Sequence, residues 1–292
     1  LKKVLVTGGN GFIARSLTEK LSERFHIVAC GKKQLDLTDS KQVETFLERE
    51  KFDVVIHSAT YDAAPKHSSK DPNKVLEQNL SMFFNLCRPN HLYEKMIYFG
   101  SGAEFSRPYW QPKMTESFFG TQIPQDQYGL SKYIMTQHAL LSDNIYNLRL
   151  FGVFGEFDDW RYRFISNICC HAVLGNQITV HQNALVDCLY IDDLIKTVRF
   201  CIENSLTHQV YNLCSGQAYE YSDLARMVAE LAGGKKVEIE NPEIKYEYSA
   251  DNSLLVKEMP QLTFTPMHEA LERMLKWYAE HRHLLSVSEL HY

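Results

Sequence analysis

A short apolar run, Val4 to Thr7, breaks into Gly8-Gly9-Asn10-Gly11 and then into a segment in which Ile13, Leu17 and Leu21 recur every four residues. The run has the character of a buried strand, and the recurrence is that of one buried helix face. Gly8, Gly11 and Ala14 fall three apart across the junction, so a strand-to-helix turn forms with no side chains in its way. Such a turn aims the unpaired N–H groups of a helix N-terminus at open space and lets the backbone close on a diphosphate. The same spacing also suits a tight turn where helix and strand merely pack closely, and the pattern alone does not separate the two. The alternating β/α pattern that follows favours the nucleotide reading.

That pattern runs through HIVAC (26–30) as a second strand and, after only GKKQ, LDL (35–37) as a third short strand; no full crossover helix fits between them. Asp39 with Gln42 gives a helix start of capping-box type for 40–50, and FDVVIHSA (52–59) reads as a buried parallel strand. A helix from about 71 to 87, the strand 95–101 and a helix over 128–141 follow. Repeated β-α units predict an α/β fold, a Rossmann-type doubly wound parallel sheet with a smaller C-terminal α/β substrate lobe. The expected division is residues 1–155, with parts of 180–215, for the dinucleotide, and mainly 156–292 for the substrate. Past NLRLFGVFG (147–155), the reading is a helix near 160–174, the strand QITV, a helix after Asp192, the strand QVYNL and a helix over 222–232. Thr265 and Pro266, as N-cap and first helical residue, would start a last helix with Ala270, Met274, Trp277 and Tyr278 on its apolar face.

A net charge of −5 gives no reason to expect nucleic acid or an anionic membrane as partner, and no apolar run approaches the length of a span or a signal-peptide core. A cytoplasmic protein is expected. The seven cysteines lack C-x-x-C or Cys/His ligand spacing, so reduced core thiols and no metal site are predicted. The histidines are scattered, and His281 and His283 read as surface residues sooner than ligands.

The chemistry-bearing residues are Ser101, Tyr128 and Lys132. Tyr and Lys four apart share one helix face, where the ammonium would sit below the phenol and favour the phenolate. Taken alone, Y-x-x-x-K is common on solvated helix faces. Here it follows a glycine turn and a strand ending in serine, in the order one architecture needs.

Through TGGNGFIA, HSAT (57–60), Asn79, GSGAEF (100–105), YGLSK, RLFGVFG (149–155), VDCLYIDDL (186–194) and VYNLCSG (210–216), the sequence resembles the extended short-chain dehydrogenase/reductase family, and within it the members acting on nucleotide-linked sugars. The resemblance implies that Ser101 hydrogen-bonds the sugar oxygen, that Tyr128 exchanges its proton and that Lys132 also holds the nicotinamide ribose. It places Gly8, Asn10, Gly11, Phe12 and Ile13 along the diphosphate, Asp36 and Leu37 at the adenine, and Ser58, Ala59 and Thr60 on the ribose side. Asn79, Phe151 and Val153 would flank the cofactor, Glu104 and Phe105 the sugar, and Arg163 or Asn167 would meet a sugar-nucleotide diphosphate. Val186 stands where the family usually has a second basic residue.

Departures narrow the reaction. Family 4,6-dehydratases carry an Asp-Glu pair directly after the serine, where Gly102 and Ala103 stand here, and GDP-fucose synthase-like epimerising members carry a cysteine at the place of Ala103. Hydride transfer at a carbonyl remains, and the short path from HIVAC to LDL resembles the 4-ketosugar reductases. Gly31, Lys32 and Lys33 replace the acid that would bind the ribose 2′-hydroxyl of NAD, and with Arg15 nearby they favour NADP(H) over NAD(H), unless both lysines are plain loop charges. Tyr190, Asp192 and Asp193 fit a structural role, the acidic pair 158–159 reads as a solvated turn, and Phe154, Phe157, Trp160, Tyr162 and Phe164 read as lobe core sooner than base-stacking rings. Helices 71–87 and 128–141 resemble the family's dimer bundle, so a homodimer is expected. The expected function is reduction of a nucleotide-linked 4-ketosugar. Its rivals are an NAD-dependent nucleotide-sugar 4-epimerase and a non-catalytic NADP-sensing regulator.

Overall fold

The computed structural model describes residues 1–62 and 68–290. Strands β1 (Lys3–Thr7) and β2 (His26–Cys30) enclose helix α1 (Phe12–Leu21); α2 (Ser40–Glu50) leads to β3 (Val54–His57), α3 (Val75–Cys87) to β4 (Lys95–Ser101), and α4 (Gln127–Ala139) to β5 (Ile145–Leu150). After β6 (Gly152–Phe154) come α5 (Phe164–Leu174), β7 (Ile178–Val180), β8 (Leu185–Tyr190), α6 (Ile191–Glu203) and β9 (Val210–Leu213). The chain then forms β10 (Ala218–Glu220), α7 (Tyr221–Leu231), β11 (Val237–Ile239), β12 (Glu247–Tyr248), α8 (Ser253–Glu258) and α9 (Met267–Glu280).

Six strands form one parallel sheet in the order β2-β1-β3-β4-β5-β9. The chain reverses direction across the sheet between β1 and β3. In open α/β sheets ligands sit in the crevice outside the strand carboxyl ends at that switch point. Strand β8 organises a second sheet, with β10 antiparallel to it and β6 and β12 parallel. The apolar core is continuous between the sheets: Val4, Leu17, Ile56 and Leu148 belong to the same buried cluster as Ile168, Leu224, Met274 and Tyr278.

Several elements depart from the sequence-based expectation. LDL (35–37) forms no strand. The N–H groups of Gln34 and Leu35 turn back onto the Gly31 carbonyl, the Asp36 carboxylate accepts from Thr38 N–H and Oγ1, and Leu35 and Leu37 are buried as loop anchors. Asp39 does cap α2 by accepting from Gln42 N–H, but the Gln42 amide reaches back to Asp36 N–H, so the reciprocal box is not closed. The stretch 71–87 opens with a 3₁₀ turn over Pro72–Lys74, capped by Asp71, before α3 begins. Pro266, not Thr265, occupies the cap position of α9. Thr265 instead donates from N–H and Oγ1 to Asp193 at 2.8 and 2.9 Å, which pins α9 to α6. Of the acidic pair 158–159 only Asp159 is exposed; Asp158 is buried, accepts from Asp159 N–H and Ser166 Oγ, and burial pushes its carboxyl up to about 6.

All seven cysteines are free and buried. Among the described residues no helix is long and apolar enough to cross a membrane, and no group of three His, Cys, Asp or Glu side chains is poised around a metal.

Candidate active site

The turn after β1 is built by backbone geometry. Gly8 has φ +72°, and a Cβ there would lie 2.8 Å from Ala59 Cα and 2.9 Å from Ala59 N. Only glycine allows the β1–α1 turn to approach the loop after β3 so closely. Gly11 takes the N-cap position of α1, its N–H donating to Gly8 O at 2.8 Å, and no side chain caps the helix. Asn10 is exposed, while Phe12 and Ile13, at the first turn of α1, are half-buried. Thr7 Oγ1 accepts from Ala59 N–H at 3.1 Å and meets His57 Nδ1 at 3.0 Å, tying the loop of Ser58, Ala59 and Thr60 to β1.

This cradle fits the diphosphate of a dinucleotide: an uncapped helix start behind a turn that a Cβ would block is a preformed anion site. At its rim Lys32 is exposed and lies 3.8 Å from Asp36. Asp36 is held below the usual carboxylate range by its hydrogen bonds from Thr38, with a smaller contribution from Lys32. Arg15 does not turn toward that rim; its guanidinium lies 4.0 Å from the centre of the Phe157 ring.

Ser101 ends β4, and Tyr128 and Lys132 project from α4, which Asp126 starts by accepting from Gly129 N–H at 2.8 Å. Ser101 Oγ accepts from Ala103 N–H at 3.2 Å, and the serine is near enough to the Tyr128 phenol to pull its pKa down. Lys132 Nζ is buried, donates to Phe99 O at 2.8 Å and lies 5.8 Å from the centre of the Tyr128 ring. The three side chains therefore meet at the carboxyl end of β4.

Burial, with Asp62, raises the Tyr128 phenol above its ordinary value, and opposing pulls come from Ser101, Arg163 and Arg107. Burial pushes Lys132 itself down to about 8, against the opposing carboxylates of Glu104 and Asp62. Tyr128 thus stands as a protonated phenol, able to give a proton. His57, buried with Nε2 unpartnered, is driven down to about 3 by burial and by Lys132, so it is neutral.

Four expected contacts are spent inside the protein. Glu104 is fully buried: its carboxylate accepts from Ser101 N–H (2.9 Å), Thr136 Oγ1 (2.8 Å) and Arg149 Nε (2.8 Å), which closes a capping box and leaves no oxygen facing a sugar. Phe105 is sealed beneath Phe118 and the Arg149 guanidinium. Asn167 Nδ2 donates to the carbonyls of Trp160 and Arg161. Asn79, buried, accepts from Tyr61 N–H and Thr60 Oγ1 and donates to Tyr61 O, so it shapes the loop after β3 and does not face the cleft. Leu37 and Phe151 are buried, and Val153 is half-buried. Arg163, exposed at the cap of α5, faces Asp62 at 3.8 Å. Tyr190, Asp192 and Asp193 act as anchors, through Glu156, Arg273 and Thr265.

Sequence reasoning missed Asp62, Arg107, Trp110 and Tyr248. The two rings stack at 4.1 Å, and Arg107 lies over Trp110. A Cβ on Gly102 would meet Tyr248 Cε2 at 2.5 Å and Phe151 Cε1 at 2.6 Å, so the place directly after the serine has no room for an acid. Arg107 and Trp110 lie just past GSGAEF and were within reach of the motif; Tyr248 is in a stretch with no periodic signal.

The family model described as the NAD dependent epimerase/dehydratase family matches residues 4–214. GDP-L-colitose synthase of Yersinia pseudotuberculosis is 22% identical over 257 residues, 80% of this chain and 83% of that protein. UDP-2-acetamido-2,6-beta-L-arabino-hexul-4-ose reductase of Pseudomonas aeruginosa is 26% identical over 245 residues, and there the match spans 80% of this chain but only 59% of that protein. The solved GDP-L-fucose synthetase of Naegleria fowleri bound to NADP has a TM-score of 0.83 at 16% identity, covering 97% of this chain and 94% of that one, a likeness of fold. With the glycine cradle at the switch point and Ser101, Tyr128 and Lys132 beside it, the chain belongs to the NAD-dependent epimerase/dehydratase family, the extended short-chain dehydrogenase/reductase enzymes that modify nucleotide sugars.

Proposed function

We propose that this protein is an NADP(H)-dependent reductase of a nucleotide-linked 4-ketosugar. The observation that carries the reading is the crowding at Gly102: Tyr248 and Phe151 fill the space after Ser101, and Ala103 is buried, so neither a dehydratase carboxyl nor an epimerising thiol stands beside the reacting carbon. What is left at the serine is hydroxyl chemistry.

Gly8, Gly11, Phe12 and Ile13 would hold the diphosphate, Lys32 a 2′-phosphate, and Lys132 the nicotinamide ribose. The bound dinucleotide supplies a hydride. Ser101 orients the carbonyl oxygen by donating to it, and Tyr128 gives its proton to that oxygen as the alcohol forms. Lys132 keeps a positive charge under the phenol while protonated, which offsets the negative charge left on Tyr128. Arg163 would meet the substrate diphosphate by forked hydrogen bonds. The half-buried Leu76, Leu80 and Phe84 on α3 support a homodimer through α3 and α4.

The test is loss of NADPH absorbance with GDP-, dTDP-, UDP- and CDP-linked 4-ketosugars, compared with NADH. Turnover with at least one, faster with NADPH, is the expected result. Conversion of a nucleotide sugar to its epimer with no added dinucleotide would replace this reading with the 4-epimerase one.

A further inference from the structure

Arg107 opens the 3₁₀ turn Arg107–Tyr109, which follows closely on Ser101 and the end of β4. Its guanidinium lies 5.3 Å from the centre of the Trp110 ring. That ring is fixed twice, by stacking on Tyr248 at 4.1 Å and by donating from Nε1 to Gly102 O at 3.0 Å. Arg107 Nε also faces Asp126 Oδ2 at 3.7 Å, and Asp126 caps α4 two residues before Tyr128. One neighbour of Arg107 is thus bonded to the residue after Ser101, and the other begins the helix of Tyr128. These contacts set the guanidinium at the rim of the catalytic centre, on an exposed side chain. The backbone is strained to put it there: Ser106, buried, has φ +61°, and its carbonyl accepts from Tyr109 N–H at 2.9 Å to close the turn. A non-glycine residue stays in that region only where its surroundings hold it, and such residues gather at active sites and ligand clamps.

The fork itself has no hydrogen bond. Asp126 stands beyond that range, its Oδ1 already accepts from Gly129 N–H, and among the described residues no other acceptor meets Arg107. Arg163 on α5 is in the same condition, with Asp62 at 3.8 Å. In both pairs the carboxylate balances charge without satisfying the donors. A guanidinium laid against an aromatic ring, with its N–H groups unpaired, matches the bidentate geometry of a phosphate. A nucleoside diphosphate brings two phosphates; Arg163 serves one, and Arg107 offers a second fork for the other. We propose that Arg107 is a second anion contact of the substrate site, taking a phosphate of the nucleotide-linked sugar in place of Asp126. The inference rests on the nucleotide-sugar side of the reading above and not on the reduction.

Titration calorimetry with GDP, dTDP, UDP and CDP, on protein whose dinucleotide site is filled with NADP, tests this directly. In Arg107→Gln the Kd of the diphosphate that the wild type binds best is expected to rise about ten- to a hundredfold, the worth of a hydrogen-bonded charge contact. Arg107→Lys keeps the charge without the planar fork and is expected to recover only part of that loss. NADP affinity, measured separately, should stay within about twofold in both variants, which shows that the fold is intact. Asp126→Asn keeps the cap of α4, since asparagine caps as well, and removes the competing charge. It is expected to tighten the diphosphate by about threefold, in keeping with an exposed ion pair. A merely structural Arg107, tying its turn to α4, would give no such gain. Diphosphate binding by Arg107→Gln within about twofold of wild type, or weaker binding by Asp126→Asn, would overturn the inference. Should a diphosphate bind as expected while no ketosugar is reduced, the reductase reading falls and the role of Arg107 stands; should ketosugars be reduced while Arg107→Gln binds as the wild type does, the inference falls alone.

Discussion

Tyr128 and Lys132 divide the acid chemistry in a way their spacing alone does not reveal. Four positions apart on α4 they share a face, yet Lys132 donates to Phe99 O, while burial and Asp62 raise the phenol against the pulls of Ser101, Arg163 and Arg107. Replacing Tyr128 with Phe removes the proton donor but no part of the dinucleotide cradle. Turnover should fall by about 10²- to 10⁴-fold, with dinucleotide binding by calorimetry unchanged. The pH profile follows from Lys132: burial lowers it to about 8, so the ammonium is present below that value and lost above it. Turnover should therefore hold at neutral pH and decline as pH rises through about 8. A profile flat to pH 9.5 would mean that the charge on Lys132 is not needed.

At the scale of elements, two connections decide whether the centre forms. The β1–α1 turn needs Gly8 twice, for its positive φ and for its contact with Ala59. Gly8→Ala should cost about 1 to 3 kcal/mol of stability and abolish dinucleotide binding, as seen in urea unfolding and titration calorimetry. The second connection is the Glu104–Arg149 pair, fully buried, which joins the turn after β4 to β5, and through Asn212 to β9. Glu104→Gln leaves the guanidinium without its charge partner, and about 3 to 5 kcal/mol of stability should be lost. The same change removes one of the two carboxylates that raise Lys132, so the alkaline limb of the pH profile should move to lower pH. Elements were the level most legible in sequence. The strand 95–101 is found with those bounds, and α3 and α4 lie close to their expected ranges. LDL failed because three residues with a central Asp satisfied by Thr38 have no strand partner to gain from.

For the whole molecule, the continuous core that joins Val4 and Leu17 to Met274 and Tyr278 argues against two independently melting lobes. Calorimetry should show one cooperative transition, moved upward by the bound dinucleotide; two resolved transitions would show that the second sheet folds on its own. The glycine turn, the β/α alternation, the serine at the end of β4 and the Tyr-Lys pair were all fixed by local order along the chain, because strand, turn and helix signals act over a few residues. Which side chains face the cleft was decided only by long-range packing. Glu104, Phe105, Asn79 and Asn167 turned inward because buried backbone and charge had to be satisfied there, and Tyr248 came to pack on Gly102 because β12 pairs with β8, a long-range contact that no periodicity records.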